Sequence, residues 1–267
     1  MFIDAFSIQW LDDLHARAAQ LAPADRLYVL VDGAFLPGLH KKLASERKAI
    51  LFALLPGCSE EAGNASPFLT PFDPADKTLK ALLQRCDRWP MLSVIATPES
   101  LEQLARRLSA WCVIEVDGQV FNFRFPDTRR LPAIVDVLNP TQRAQFLGPA
   151  TGWTYIGRDG CWHALSVESS SECAADNPVL DERQFAVLAG DSHADELMAL
   201  LGDRGHEVYN RPSRTHALLS AALGAARKAG MGDHSLIEWC EWFWKQDLLC
   251  EEAAVANMLQ TWRRTSS

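Results

Sequence analysis

The chain has 267 residues and a net charge of −8 at pH 7, from 26 Lys and Arg against 34 Asp and Glu, with 48% hydrophobic residues and a mean hydropathy of −0.08. That length and composition exclude a largely disordered chain and allow one large domain or two small ones, each with its own core. The acidic balance leaves no surplus positive field to neutralise phosphates, which argues against a dedicated nucleic-acid binder.

The opening MFIDAFSIQW carries an acid and lacks the basic and long apolar regions of an export signal. Leu11, Leu14, Ala18 and Leu21 then recur at helical spacing until Pro23-Ala24-Asp25 breaks the pattern, predicting an amino-terminal helix. Leu27 to Val31 is a short β-rich apolar run ending at Asp32-Gly33, and Pro37 to Glu46 places Leu39 and Leu43 four apart, so strand, turn and helix are expected. Apolar runs at Ile50 to Leu55 and Met91 to Ala96, separated by amphipathic Lys77 to Cys86, repeat that alternation and predict parallel strands covered by helices. None approaches the ~20 residues of a membrane span; the longest, Ala49 to Leu55, is far shorter.

Thr97-Pro98-Glu99 is read as the opening of a helix with Leu101, Leu104, Ala105 and Leu108 as its stripe. Cys112 to Val116 and Gln119 to Phe125 flank Asp117-Gly118, the dipeptide of a type I′ hairpin turn. A shorter hairpin is expected where Trp153 to Ile156 and Cys161 to Val167 flank Gly157 to Gly160. The composition of ESSSECAADNP, from Glu168 to Pro178, is that of a linker. Beyond it, Asp181 to Leu201, Ser213 to Lys228, Ser235 to Leu248 and Glu251 to Trp262 read as helices. The expected architecture is an α/β lobe over residues 1–167, with a mixed sheet, flanking helices and an antiparallel hairpin, a linker at 168–178 and an all-α lobe over 179–267. Neither lobe is basic: 17 Lys and Arg face 21 Asp and Glu before residue 178, and 9 face 13 from there on.

Chemistry is sparse. Seven scattered cysteines without a C-x-x-C pair read as reduced thiols in a cytosolic protein. Phosphate-cradling glycine loops, H-E-x-x-H and the G-x-S-x-G elbow are all missing. His15 and His40, on polar helix faces, read as solvent-facing, so no metal, cofactor or catalytic residue is assigned. Gly190-Asp191-Ser192-His193, with Asp203 and His206 downstream, resembles the nucleophile and partner blocks of GDSL-type hydrolases, but both blocks crowd into a helical lobe. Asp191 or Ser192 is therefore read as a helix cap, and a small α/β hydrolase built around Ser192 is the rival reading. Asp32-Gly33, at a strand's carboxyl end, is either a ligand site or a cap and tight turn. In the aromatic helix Leu236, Trp239 and Phe243 share one face, which Trp242 and Trp244 cannot both join. Either that helix is buried on two sides, or some of its indoles are exposed to anchor a partner.

Two stretches resemble a known family, the effector adaptors or chaperones of bacterial type VI secretion, catalogued as domain of unknown function 4123. The first is YVLVDGA (Tyr28 to Ala34) with the Pro37-x-Leu39 segment, ILFALLPG (Ile50 to Gly57) and SPFLTPFD (Ser66 to Asp73). The second comprises Trp89, Ser93, the helix at Glu99 to Leu108, the run from Asp117 to Pro149 and Trp153. Phe123, Arg124, Phe125, Asp127 and Arg129 occupy the family pattern, with Pro126 in place of the usual Tyr and Thr128 in place of the usual Pro. Asp32, Gly33, Gly148, Pro149 and Trp153 fall on its other motif positions. The resemblance implies a non-catalytic cytoplasmic protein that holds a toxic effector and delivers it to the VgrG spike or its PAAR tip. Partner contacts are expected from Trp239, Trp242 and Trp244, and from Arg124, Asp127 and Arg129 unless these three pair internally.

Overall fold

The computed structural model describes residues 2–170, 178–246 and 252–265. Most of the expected linker, with Cys173 inside it, and the segment around Cys250 lie outside them. Two compact units emerge, residues 1–189 and 190–267.

The first unit opens with α1 (Trp10–Ala19) and β1 (Arg26–Val31). Gly38 adopts a left-handed backbone after Pro37, so the helix expected over Pro37 to Glu46 collapses into 3-10 turns at Leu39–Lys42 and Ser45–Arg47. The apolar run that follows is likewise no full strand: it yields β2 (Ala49–Ile50) and another 3-10 turn, Phe52–Leu54. The chain continues through α2 (Glu60–Ala65), β3 (Phe68–Pro71), α3 (Lys77–Gln84), β4 (Leu92–Thr97) and α4 (Leu101–Ala110). Ser100 and Gln103 form a reciprocal capping box on α4, which leaves Pro98 and Glu99 ahead of the helix rather than in its first turn. Next come β5 (Val113–Val116), β6 (Gln119–Asn122), α5 (Leu131–Val137), α6 (Pro140–Leu147), β7 (Gly152–Ile156) and β8 (Trp162–Ala164). Asp117 and Gly118 both take positive φ, 48° and 73°, as the I′ turn between β5 and β6 requires.

Six strands form one sheet in the order β2-β3-β1-β4-β7-β8, and every neighbouring pair is antiparallel, which corrects the expectation of parallel pairing. The reason lies in burial. Tyr28 and Leu30 of β1 face one core with Ile95 and Trp153, while Leu27, Val29 and Val31 face another with Leu92 and Val94. Helices α4, α5 and α6 cover the first face; α1 and α3 cover the second. A sheet buried on both sides shows continuous apolar strands, the pattern usually left by parallel sheets. Moreover, β3 and β4 do run parallel, joined through α3, but β1 lies antiparallel between them.

The helix α7 (Glu182–Asp203) begins in the first unit, where Phe185 and Leu188 pack on its core, and ends in the second. With it, α8 (Pro212–Lys228), α9 (Asp233–Lys245) and α10 (Glu252–Thr265) enclose a core of Leu197, Met198, Leu201, Leu219, Leu223, Trp239, Phe243, Leu259 and Trp262. The result is a mixed α/β unit followed by a helical one, with no helix among the described residues long and apolar enough to cross a membrane.

Candidate functional site

The charged motif residues come together where β1 ends. Asp32 is buried, and its Oδ1 accepts the Ala34 amide at 3.0 Å while Oδ2 accepts Arg124 Nη2 at 2.7 Å. No α-helix follows, so Asp32 is a turn-former and ion-pair partner rather than a cap. Burial pushes its carboxyl above the usual range even with the guanidinium against it. Gly33 is required by close approach: a Cβ there would sit 2.2 Å from the Ser66 carbonyl oxygen. Asp127 does not bridge both arginines. It holds Arg129 alone, accepting Nε at 3.0 Å, Nη2 at 2.7 Å and the backbone amide at 3.1 Å. Both guanidiniums lie over the Phe35 ring, Arg124 at 4.8 Å and Arg129 at 5.6 Å, with Arg129 also 5.2 Å from Phe2. Arg124, Asp127 and Arg129 are thus engaged inside the unit, tying the end of β1 to the loop after β6. Phe123 and Phe125 are buried beneath them, with Phe123 6.4 Å from Trp111 and Phe125 5.3 Å from Phe146.

A second buried pair lies under the sheet's other motif positions. Arg107 of α4 donates Nε to Glu99 Oε1 at 2.9 Å, Nη2 to Oε2 at 2.6 Å and Nη1 to the Phe146 carbonyl. Thr97 Oγ1 also donates to Glu99 Oε2, at 2.9 Å. Gly148 takes φ 55° directly against that guanidinium, where a Cβ would meet Arg107 Nε at 2.6 Å. Pro149 follows, half-buried, and Trp153 stacks on Phe146 at 5.1 Å while donating Nε1 to Ser93 Oγ at 3.2 Å. Sequence reasoning missed Glu99 and Arg107 as a pair. The available signal was weak: Arg107 falls three residues after Leu104, at the edge of the α4 stripe.

His40, expected in solvent, is buried with its ring 6.0 Å from Phe68, edge to face. Its pKa is lowered by burial and by the Lys48 and Lys41 charges. The thiols of Cys86 and Cys240 are buried, and burial pushes each up to about 12. Among the described residues, no three His, Cys, Asp or Glu side chains gather closely enough to hold a metal. Several apolar clefts open on the first unit, two of them reaching Leu101. One of these two, of about 850 Å³, is lined by Ala18, Leu21 and Phe72, the other, of about 700 Å³, by Ile50 and Leu54.

In the helical unit Trp239 and Phe243 of α9 are buried, whereas Trp242 and Trp244 are half-buried. Trp242 stacks on Trp239 at 5.7 Å, and Trp244 lies 5.2 Å from the His206 ring. Glu241 between them accepts Lys245 Nζ at 2.8 Å, bonds His206 Nε2 at 3.0 Å and accepts Arg204 Nη1 at 2.6 Å. Those bonds, Lys245 first, hold its carboxyl down to about 2. A carboxyl lowered by folding contributes stability above its ordinary pKa and loses it as pH falls toward the folded value. Acid unfolding of the helical unit is therefore expected to steepen below the ordinary glutamate range, and Glu241→Gln to flatten that limb. Far-UV melting from pH 6 down to about 2 checks this; an unchanged profile in the variant removes Glu241 as the cause.

Asp191 and Ser192 lie inside α7, not at a helix end, which corrects the capping reading. Ser192 Oγ donates to Glu196 one turn on, and His206 is engaged with Glu241.

Residues 27–145, a little under half of the chain, match the model of a family described as domain of unknown function (DUF4123). The matched stretch runs from β1 into α6 and so contains the Asp32–Arg124 and Asp127–Arg129 pairs, and it stops short of Gly148, Pro149 and Trp153. No curated protein and no solved structure matches the chain.

Proposed function

We propose that this chain is a non-catalytic adaptor that binds a type VI secretion effector in the bacterial cytoplasm and promotes its loading onto the VgrG spike or PAAR tip. The observation that supports the reading is the match of residues 27–145 to the domain of unknown function, taken with the motif residues through which the sequence resembles the adaptors. The geometry adds a division of labour. Asp32, Arg124, Asp127 and Arg129 spend their charges on one another, so they build the domain. Partner contacts then fall to surfaces that remain open, including the half-buried Trp242 and Trp244.

Affinity purification of the tagged full chain from cells with an intact secretion cluster is expected to recover an effector and a spike or tip protein in stoichiometric amounts. Recovery of neither removes the proposal. Trp242→Ala or Trp244→Ala is expected to weaken that capture while the far-UV spectrum stays unchanged.

A further inference from the structure

The β5–β6 hairpin forms a small sheet with one side taken and the other open. Glu115 of β5 donates its N–H to the Pro178 carbonyl at 2.9 Å and accepts the Leu180 N–H at 2.9 Å, so residues 178–180 lie against β5 in a parallel bridge. Main-chain bonds of an antiparallel pair alternate, and the bond from the Phe123 N–H to the Cys112 carbonyl fixes their phase. Val120, opposite Glu115, therefore turns its N–H and C=O outward, as does Asn122, opposite Val113. β6 pairs with no strand except β5, and among the described residues nothing else bonds these outward groups. Water reaches the edge, since Val120 is 67% exposed.

The two faces of that edge differ. On the Phe121 face a cleft of about 310 Å³ lies beside the end of β6, lined by Phe121 and Phe123, by Ile134 of α5, and by Phe185 and Leu188 of α7. On the Val120 face Glu115 is exposed, and its carboxylate has no ion pair or hydrogen bond among the described residues. The geometry points to the outer edge of β6 as the docking site for an extended segment of a partner protein. That segment adds as a strand antiparallel to β6, with an apolar side chain in the cleft and a basic one opposite Val120. Main-chain donors and acceptors spaced in strand register are met in full by another extended backbone, which makes a polypeptide the occupant. Alternation along the added strand sends one side chain toward the cleft and its neighbours to the Glu115 face. The residue opposite Val120 stands two strand spacings, about 10 Å, from Glu115, which a lysine and a glutamate side chain span together. The assignment rests on the adaptor reading and gives the chemistry of the partner segment that the first unit takes.

The test is fluorescence anisotropy of the full chain with a labelled peptide, Ser-Thr-Leu-Lys-Val-Thr-Ser, capped at both ends. Two further probes carry a single N-methyl group, on the lysine amide or on the valine amide. In the antiparallel register the lysine N–H faces β6 and the valine N–H faces away. Methylating the lysine amide is expected to cost at least about tenfold in affinity, and methylating the valine amide little. Val120→Pro removes the outward N–H without touching a β5–β6 bond, and proline suits an edge strand. This variant is expected to melt like the parent and to lose about tenfold in affinity. Glutamate in place of the probe's lysine should weaken binding, and Glu115→Lys should reverse that order. Equal or reversed effects of the two methylations, unchanged affinity in Val120→Pro, or an unchanged charge order overturns the assignment. So does a dimer of the chain that Val120→Pro dissolves, which gives the edge to a second copy. The methylated probes act on the unaltered chain, so the outcome does not hang on a variant's folding. Effector or spike protein recovered by a chain that binds no probe sinks the edge and spares the adaptor reading; probe binding by a chain that recovers neither does the reverse.

Discussion

Arg107→Ala is expected to lower the melting temperature of the first unit by on the order of 10 °C, the largest effect of any single charge removal there. The cause is what the substitution leaves behind. Glu99 would keep its burial and its hydrogen bond from Thr97 but lose both guanidinium bonds, and the Phe146 carbonyl would lose its donor. Removing one member of a buried pair costs about 3–5 kcal/mol, mostly the penalty of an uncompensated charge away from water. Replacing both members by apolar residues of similar volume avoids that penalty, so Glu99→Leu with Arg107→Met is expected to recover most of the loss. Thermal melts of the three proteins decide it. A single variant within about 1 kcal/mol of the parent, or a double variant as unstable as the single, would mean that the pair does not hold α4 to the α6 end.

Trp239→Ala is expected to cost the helical unit about 3–5 kcal/mol, enough to leave so small a unit largely unfolded at ordinary temperature. The indole has no exposure, touches Trp242, Phe243 and Trp262, and donates Nε1 to the Ala222 carbonyl at 3.0 Å. Its loss removes apolar contact from three helices at once and takes away the second donor of the Ala222 carbonyl. Trp242→Ala, which deletes a half-buried ring stacked on one face of Trp239, should cost about 1 kcal/mol. Urea unfolding followed by helical circular dichroism separates the two. Equal costs would place Trp242 in the core and withdraw it as a partner contact.

Much of this fold was legible because its elements carry local signals. The I′ hairpin announced itself in Asp117-Gly118, and the helical unit in its periodic leucines and alanines. What failed was whatever depended on distant neighbours. The strand Phe68–Pro71 begins directly after Pro67 and ends on a second proline, and it draws its pairing entirely from β1 and β2. Direction of pairing was invisible, since LYVLV looks the same beside parallel or antiparallel partners once both faces are covered. The candidate site divides the same way. Phe123, Arg124, Phe125, Asp127 and Arg129 stood out as a motif, but that Arg124 reaches back 92 positions to Asp32 is a tertiary fact.

The six-stranded sheet tapers from six-residue strands at β1 and β4 to stubs of two residues at β2 and three at β8. Long bare rims invite strangers to zip on, and stubs that short offer them almost no template. Rims this short leave little backbone on which another strand could pair, which disfavours edge-to-edge stacking on this sheet.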